Sequence, residues 1–163
     1  MNHGTLCDIA DDFKHGKNFK CGSFVKIETD VVVGDDVTIE NFVLLKPGTR
    51  IGNNVFVDSY VRSSGQNIIG NNVTLRFGCT IAKQVTVEDD VFISPNVMTI
   101  YSRHTGEAVT GTVIGRGTHV GTAAVIAPGV KIVANTVIGA QAYVSKHITE
   151  PGIYVGVPAG IKK

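Results

Sequence analysis

Large aliphatic residues recur at every sixth position along most of this chain. In a frame of six that starts at Ile9, the first position is Ile, Leu or Val everywhere except at His15, Cys21 and Ser63. The fifth position is mostly Val, with Thr and Ala in the later repeats. A helix repeats its apolar side every ~3.6 residues and a simple strand every ~2, so neither explains this period. The pattern predicts short strands separated by corners, in a coil whose first and fifth positions stack inside.

The repeat has one interruption. It runs over 9–149 and is absent only over 99–113. A single repeat cannot bury its own apolar side, so such a coil is stabilised by stacking turn on turn. We therefore expect an all-β solenoid that forms a single domain over 1–163, with an extruded active-site loop over 99–113 and a tail over 150–163. A loop on a rigid scaffold is a common place for binding and catalysis.

Two features of the repeat concern its corners and its surface. The second position is often Gly, as at Gly52 and Gly70. Because glycine adopts backbone conformations that are costly for other residues, we expect it to form the corners. No Thr-x-Thr ladder and no row of aromatic residues is evident, which argues against an ice-binding or lectin-like surface.

The amino-acid sequences of the repeats resemble those of a known family. VGDDVT, IGNNVF, IGNNVT and VEDDVF resemble the repeats of the hexapeptide-repeat acyltransferases. This resemblance implies a left-handed parallel β-helix, here of about seven coils with three repeats each. The left hand and the three-sided coil come from the resemblance, because the period alone determines neither.

A histidine inside the interruption is the candidate catalytic residue. The segment ISPNVMTIYSRH is similar to the sugar and xenobiotic O-acetyltransferase segment whose catalytic histidine follows a valine by seven residues, a spacing that here joins Val97 to His104. An imidazole can accept a proton near neutral pH, as a general base must. His119 is the second candidate for this role, and the acidic corner 88–90 is an optional orienting partner.

The carboxy-terminal repeats suggest the cofactor. VGTAAVIAPGVKI, VIGAQAYVSKHI and VGVPAG are similar to the coils and tail that line the acetyl-CoA groove of the family. The resemblance implies acetyl-CoA as co-substrate. Residues 114–163 also carry five Lys or Arg and one acid, which suits a polyphosphate. The implied cofactor-binding residues are Gly121, Thr122, Ala140, Ser145, Lys146 and Lys163.

One repeat is defective and suggests where the acceptor binds. SSGQNI, 63–68, has polar residues where aliphatic ones are usual. Steps of 18 residues lead from Ser63 to Ile81 and then to Thr99, where the loop begins. We therefore expect the defective repeat to lie on the same side of the coil as the loop, with a wall of polar side chains that binds the acceptor. The candidate residues for acceptor binding are Gln66, Asn67, Lys83, Gln84 and Arg103.

Composition excludes several other classes. A net charge of +1 does not favour a nucleic-acid partner. No apolar run approaches the ~18 residues of a membrane span. The cysteines, Cys7, Cys21 and Cys79, form no CxxC pair, which favours a reducing cytoplasm and small apolar roles in the core. No set of three histidines suggests a zinc site, so we expect no metal.

These observations predict an acetyl-CoA-dependent acetyltransferase with His104 as general base. Its acceptor would be a hydroxyl or amine of a sugar or a nucleotide-linked (amino)sugar, acetylated by direct transfer. The resemblance further implies a homotrimer with active sites between subunits. One alternative is a nucleotide-amino-sugar N-acetyltransferase without an essential base, although Arg76, Phe77 and Gly78 replace the functional Asn or His of that group. The other is a non-catalytic β-helix used in assembly.

Overall fold

A computed structural model describes residues 2–162 as a succession of 25 short strands. No helix long and apolar enough to cross a membrane occurs within this range. In chain order the strands are β1 (Asn2–His3), β2 (Asp8–Ile9), β3 (Lys14–His15), β4 (Lys20–Cys21), β5 (Lys26–Ile27), β6 (Val32–Val33), β7 (Thr38–Ile39), β8 (Leu44–Leu45), β9 (Arg50–Ile51), β10 (Phe56–Val57), β11 (Arg62–Ser63), β12 (Ile68–Ile69), β13 (Thr74–Leu75), β14 (Thr80–Ile81), β15 (Thr86–Val87), β16 (Phe92–Ile93), β17 (Met98–Thr99), β18 (Val113–Ile114), β19 (His119–Val120), β20 (Val125–Ile126), β21 (Lys131–Ile132), β22 (Val137–Ile138), β23 (Tyr143–Val144), β24 (Ile153–Val155) and β25 (Gly160–Ile161).

The strands occupy three sheets in rotation, which makes a three-sided coil. The first sheet has the order β1-β4-β7-β10-β13-β16-β19-β22-β24-β25, the second β2-β5-β8-β11-β14-β17-β20-β23, and the third β3-β6-β9-β12-β15-β18-β21. All pairs are parallel except β24 with β25. Phe56 pairs with Thr74, so one turn takes 18 residues, or three repeats. The predicted parallel β-helix is confirmed, and its architecture agrees with the left-handed form.

The coil has about eight turns instead of the expected seven. Strand β1 pairs with β4 and adds a repeat before Ile9. The apolar pattern does not show this repeat because His3 and Cys7 occupy its first and fifth positions. At the other end, β24 pairs with β22 and extends the first sheet.

The core consists of the first and fifth positions of the repeat, as predicted. Ile39, Val55, Ile81 and Ile93 are at most 1% exposed. Burial of one such side chain contributes roughly 1.5–3 kcal/mol. Cys79 is also buried in this column, and burial raises the pKa of its thiol to about 12. It is therefore a small apolar residue of the core, as expected.

The corners differ from the prediction, because the left-handed backbone conformation falls on the fourth position of the repeat and not on the second. Asn54 and Asn72 have φ values of 54° and 56°, whereas Gly52 and Gly70 lie outside the positive-φ region. The second position is glycine for a different reason. A Cβ at Gly52 would lie 2.7 Å from the carbonyl oxygen of Gly70 in the next turn. Glycine therefore permits close stacking of the turns.

A row of aromatic side chains follows one corner, contrary to the prediction. The Phe24, Phe42 and Tyr60 rings stack with centroids 4.8 and 4.9 Å apart, and Phe77 lies 5.3 Å beyond Tyr60. All four side chains are partly exposed. Since the stacked rings cover one another's faces, mainly their edges face solvent, which does not suit stacking on a sugar.

Candidate active site

The interruption of the coil folds as a small hairpin with His104 at its tip. Strand β17 ends at Thr99 and strand β18 begins at Val113, so the excursion comprises residues 100–112. Its two sides pair through a bridge between Ser102 and Ala108. The Gly106 amide donates to the Arg103 carbonyl oxygen at 2.9 Å, which closes a turn around His104 and the next residue. The hairpin therefore presents the imidazole at its far end.

His104 is exposed and makes no hydrogen bond, ion pair or ring contact with another residue of the described chain. The acidic corner that could have oriented it is occupied elsewhere. Arg116 pairs with Asp89 at 2.7 Å and with Asp90 at 3.2 Å. Hydrogen bonding from the Asn71 amide, aided by the Arg116 charge, lowers the pKa of Asp89. These acids therefore stabilise a corner and do not orient His104.

A cleft of about 380 Å³ lies between the hairpin and the last two turns. Arg103 and Val109 line it from the hairpin, and Ser145, Lys146 and His147 line it from the coil. The structure thus brings together three residues predicted from the sequence, Arg103, Ser145 and Lys146. Two cationic side chains at one cleft can hold an anionic group such as a phosphate. His147 was not predicted for this cleft, and its Nδ1 accepts a hydrogen bond from the Lys131 amide at 3.1 Å.

The other predicted cofactor residues lie at the neighbouring corner, across β20 and β23. There Gly121 stacks directly beneath Ala140, because a Cβ at Gly121 would lie 2.6 Å from the Ala140 nitrogen. The amides of Thr122 and Ala140 donate to no acceptor in residues 2–162. Lower on this corner, Asn41 of the next turn caps the Ser23 amide at 2.8 Å. No such side chain stands above Thr122, because Ala140 occupies that place.

The predicted cofactor residues are therefore divided between two corners. The Gly121 amide donates to the Ile138 carbonyl oxygen at 2.8 Å and is not a free donor. The uncapped amides of Thr122 and Ala140 are free to bind a carbonyl or a developing oxyanion. Lys163 lies outside the described residues.

The defective repeat lies where the sequence predicted, but one of its residues points inward. Strands β11, β14 and β17 are neighbours in the second sheet, so Ser63 and the hairpin root share one side of the coil. Gln66 is exposed, and Lys83 and Gln84 are half-buried at the same corner. The Lys83 ammonium lies 5.9 Å from the centroid of the Tyr101 ring in the hairpin. Asn67 is fully buried, so its assignment to the acceptor wall is wrong.

His119, the second candidate base, lies on the outer side of the first sheet. Its ring stacks on Phe92 at 5.0 Å, and its Nε2 is 3.4 Å from the Ser94 hydroxyl. Two residues later the chain reaches Gly121 and the uncapped amides. His119 is thus near the predicted cofactor corner of its own chain, whereas His104 projects from the next corner.

Comparison with known proteins supports the fold. No protein-family model and no curated protein matches the chain. A solved structure with a similar fold is a mutant of GDP-perosamine N-acetyltransferase from Caulobacter crescentus in complex with CoA and GDP-perosamine. It has 24% sequence identity and a TM-score of 0.70, over 78% of this chain and 56% of that chain.

Two further structures are similar. UDP-N-acetylglucosamine acyltransferase from Campylobacter jejuni has 18% identity and a TM-score of 0.66, over 96% of this chain and 72% of that one. A mutant of AntD, an N-acyltransferase from Bacillus cereus in complex with dTDP and coenzyme A, has 22% identity and a TM-score of 0.57, over 92% and 83%. At these identities the likeness establishes a shared fold. The chain spans little more than half the length of the Caulobacter protein.

Proposed function

We propose that this protein is an acetyl-CoA-dependent acetyltransferase that acts on a sugar or a nucleotide-linked (amino)sugar. The observation that carries the proposal is the hairpin over 100–112, which presents His104 and forms a cleft with Ser145 and Lys146. The similar structures from Caulobacter and Bacillus are named as acyltransferases and contain CoA, which supports the choice of cofactor.

The proposed reaction is a direct transfer. The acceptor hydroxyl or amine attacks the thioester carbonyl carbon while His104 takes its proton. The C–S bond then breaks, and the CoA thiolate receives the proton from the imidazolium. The uncapped amides of Thr122 and Ala140 supply hydrogen bonds to the pantetheine carbonyls or to the oxyanion. Lys146 and Arg103 attract the phosphates or the anionic part of the acceptor, and Gln66, Lys83 and Gln84 bind the acceptor from below the hairpin.

The position of these groups favours an active site shared between chains. His104 and the amides of Thr122 and Ala140 lie at neighbouring corners of one coil, with β20 and β23 between them. In a homotrimer, the hairpin of one copy would face the amide corner of the next, so both groups would meet one thioester. A trimeric mass in solution is the expected result.

A release assay tests the proposed activity. Purified protein is mixed with acetyl-CoA and a panel of sugars, amino sugars and nucleotide sugars, and the free CoA thiol is measured. Acceptor-dependent thiol release is expected for at least one member. A non-catalytic assembly protein would show neither release nor a rise in melting temperature with acetyl-CoA, since only a ligand of the native state raises that temperature. That pair of results would refute the proposal.

A further inference from the structure

At the corner where the hairpin leaves the coil, two amides of the hydrogen-bond ladder lack their usual carbonyl acceptors. In an uninterrupted turn, a second-position amide donates to a first-position carbonyl of the next turn, as Ser64 does to Ile81 at 2.8 Å. A fourth-position amide donates to a third-position carbonyl of the previous turn, as Gln66 does to Pro47 at 2.8 Å. Beside the hairpin, the Ala82 amide does not donate to the first-position carbonyl of Thr99. The third-position carbonyl that would accept from Gly129 has no counterpart, because the chain is in the hairpin there. The two amides left without these carbonyls belong to Ala82 and Gly129.

Two buried threonine hydroxyls accept from these amides in place of the usual carbonyls. The Ala82 amide donates to Thr99 Oγ1 at 2.7 Å, and the Gly129 amide donates to Thr112 Oγ1 at 2.8 Å. Thr99 is 3% exposed and Thr112 is 2% exposed. Thr99 stands where the chain leaves the coil and Thr112 where it returns. One hydroxyl therefore ties the hairpin to the turn before it, and the other ties it to the turn after it.

A chain of polar groups continues from Thr99 into the coil. The Ala82 carbonyl accepts a hydrogen bond from the Asn67 side-chain amide. Asn67 Oδ1 in turn accepts from the Ser63 hydroxyl, which lies 2.6 Å from the Thr49 hydroxyl. The backbone of Ala82 is thus fixed on both sides: its amide donates to the Thr99 hydroxyl, and its carbonyl accepts from the Asn67 side chain. This explains why the defective repeat is polar inside the coil, where an unpaired polar group is costly.

We propose that Thr99 and Thr112 are positioning residues that set the direction of the hairpin and hence the position of His104. The proposal rests on the proposed function of His104 for its effect on activity, but not for its effect on structure. Each threonine restores a ladder bond at one root of a segment whose tip is otherwise exposed. With both roots fixed, the tip turn has a defined place relative to the cleft. Small displacements of a catalytic group lower turnover strongly, by up to ~10²-fold for ~1 Å.

Isosteric variants separate this role from ordinary packing. Thr99→Val and Thr112→Val keep the volume but leave the Ala82 or Gly129 amide without an acceptor, whereas Thr99→Ser keeps the hydroxyl. Thr136→Val is the matched control. Thr136 is fully buried, and its hydroxyl donates to the Val133 carbonyl three residues earlier, so it replaces no ladder acceptor.

Amide hydrogen exchange and steady-state kinetics are measured on each variant. Each Val variant should raise exchange over 100–112 by about tenfold or more and lower kcat by a similar factor, with little change in KM for acetyl-CoA. The Ser variant should behave like the wild type, and Thr136→Val should leave exchange of the hairpin unchanged. If the amides of the hairpin exchanged in both Val variants at the same rate as in the wild type, the proposal would be wrong.

A measurement on the unaltered protein remains if a Val variant does not fold. The amides of Ala82 and Gly129 should be as protected from exchange as those of Ser64 and Gln66, and rapid exchange of either would overturn the proposal. Both exchange experiments need no substrate. If the wild type transfers no acetyl group, the proposed function is wrong. The exchange rates would still show whether the two threonines hold the hairpin in place.

Discussion

Close stacking at the second position makes a quantitative prediction for Gly52→Ala. The new Cβ would lie 2.7 Å from both the Gly70 carbonyl oxygen and Asn71 Oδ1, and 2.8 Å from the Gly70 carbonyl carbon. These distances are below those found for real Cβ contacts, and two of the three atoms belong to the backbone. The variant can therefore fold only if the two turns move apart at this corner.

The structure gives the size of the effect. Separation of the turns strains two hydrogen bonds, from Gly52 N to the Ile69 carbonyl and from Asn53 N to Asn71 Oδ1, both 2.8 Å long. Overpacking costs about 1–3 kcal/mol and each weakened bond up to about 1 kcal/mol, while the less flexible unfolded chain returns about 0.4–1 kcal/mol. A net loss of about 2–4 kcal/mol lowers the melting temperature of a chain of this length by about 5–15 °C.

Thermal unfolding followed by circular dichroism measures this shift. Gly160→Ala is the matched control, because nothing lies within 4 Å of a Cβ at that position. The control should melt within about 2 °C of the wild type. Equal melting temperatures for Gly52→Ala and the control would show that the turns are not packed against this glycine.

Three further substitutions test the corners and the cleft. Hydrogen bonding from Asn71 and the Arg116 charge lower the pKa of Asp89 below its ordinary value. The Asp89 carboxylate therefore stabilises the fold above the ordinary pKa of an aspartate, and this effect is lost as pH falls through the lowered pKa, so the melting temperature of Asp89→Asn should depend less on pH below about 4 than that of the wild type. Phe42→Ala removes two stacked ring contacts, of 4.8 and 4.9 Å, and should lower the free energy of unfolding, measured in urea, by about 1–3 kcal/mol. An unchanged free energy would show that the aromatic row does not stabilise the fold. Lys146→Ala should raise KM for acetyl-CoA about fivefold or more with kcat little changed, and an unchanged KM would place the phosphates elsewhere.

The fold was predictable because every repeat must place apolar residues at the same two positions of the coil. Each turn needs apolar residues at fixed places, so exceptions such as Ser63 do not hide the period. The first repeat was missed because the pattern is weakest there, with His3 and Cys7 at its apolar positions. The aromatic row was missed because Phe24, Phe42 and Tyr60 repeat every 18 residues, the length of a whole turn, and not every six.

The site was predictable only in part, because its geometry depends on contacts between turns. The resemblance to the acyltransferase family pointed to His104, through its spacing from Val97, and to the cleft residue Lys146. The inward direction of Asn67 follows from hydrogen bonds to Ser63 and Ala82, which no local pattern reveals. A polar residue at the fifth position of a repeat is nevertheless a signal for an internal role, since that position faces the core.

The most direct test of the account is the turnover of His104→Ala compared with His119→Ala, measured with saturating acetyl-CoA and an acceptor found in the release assay. The account predicts that His104→Ala lowers kcat by about 10²-fold or more, as expected for loss of a general base, while His119→Ala lowers it by less than about tenfold. If His104→Ala turned over like the wild type, or if His119→Ala alone were inactive, the hairpin would not carry the base and the proposed mechanism would be wrong.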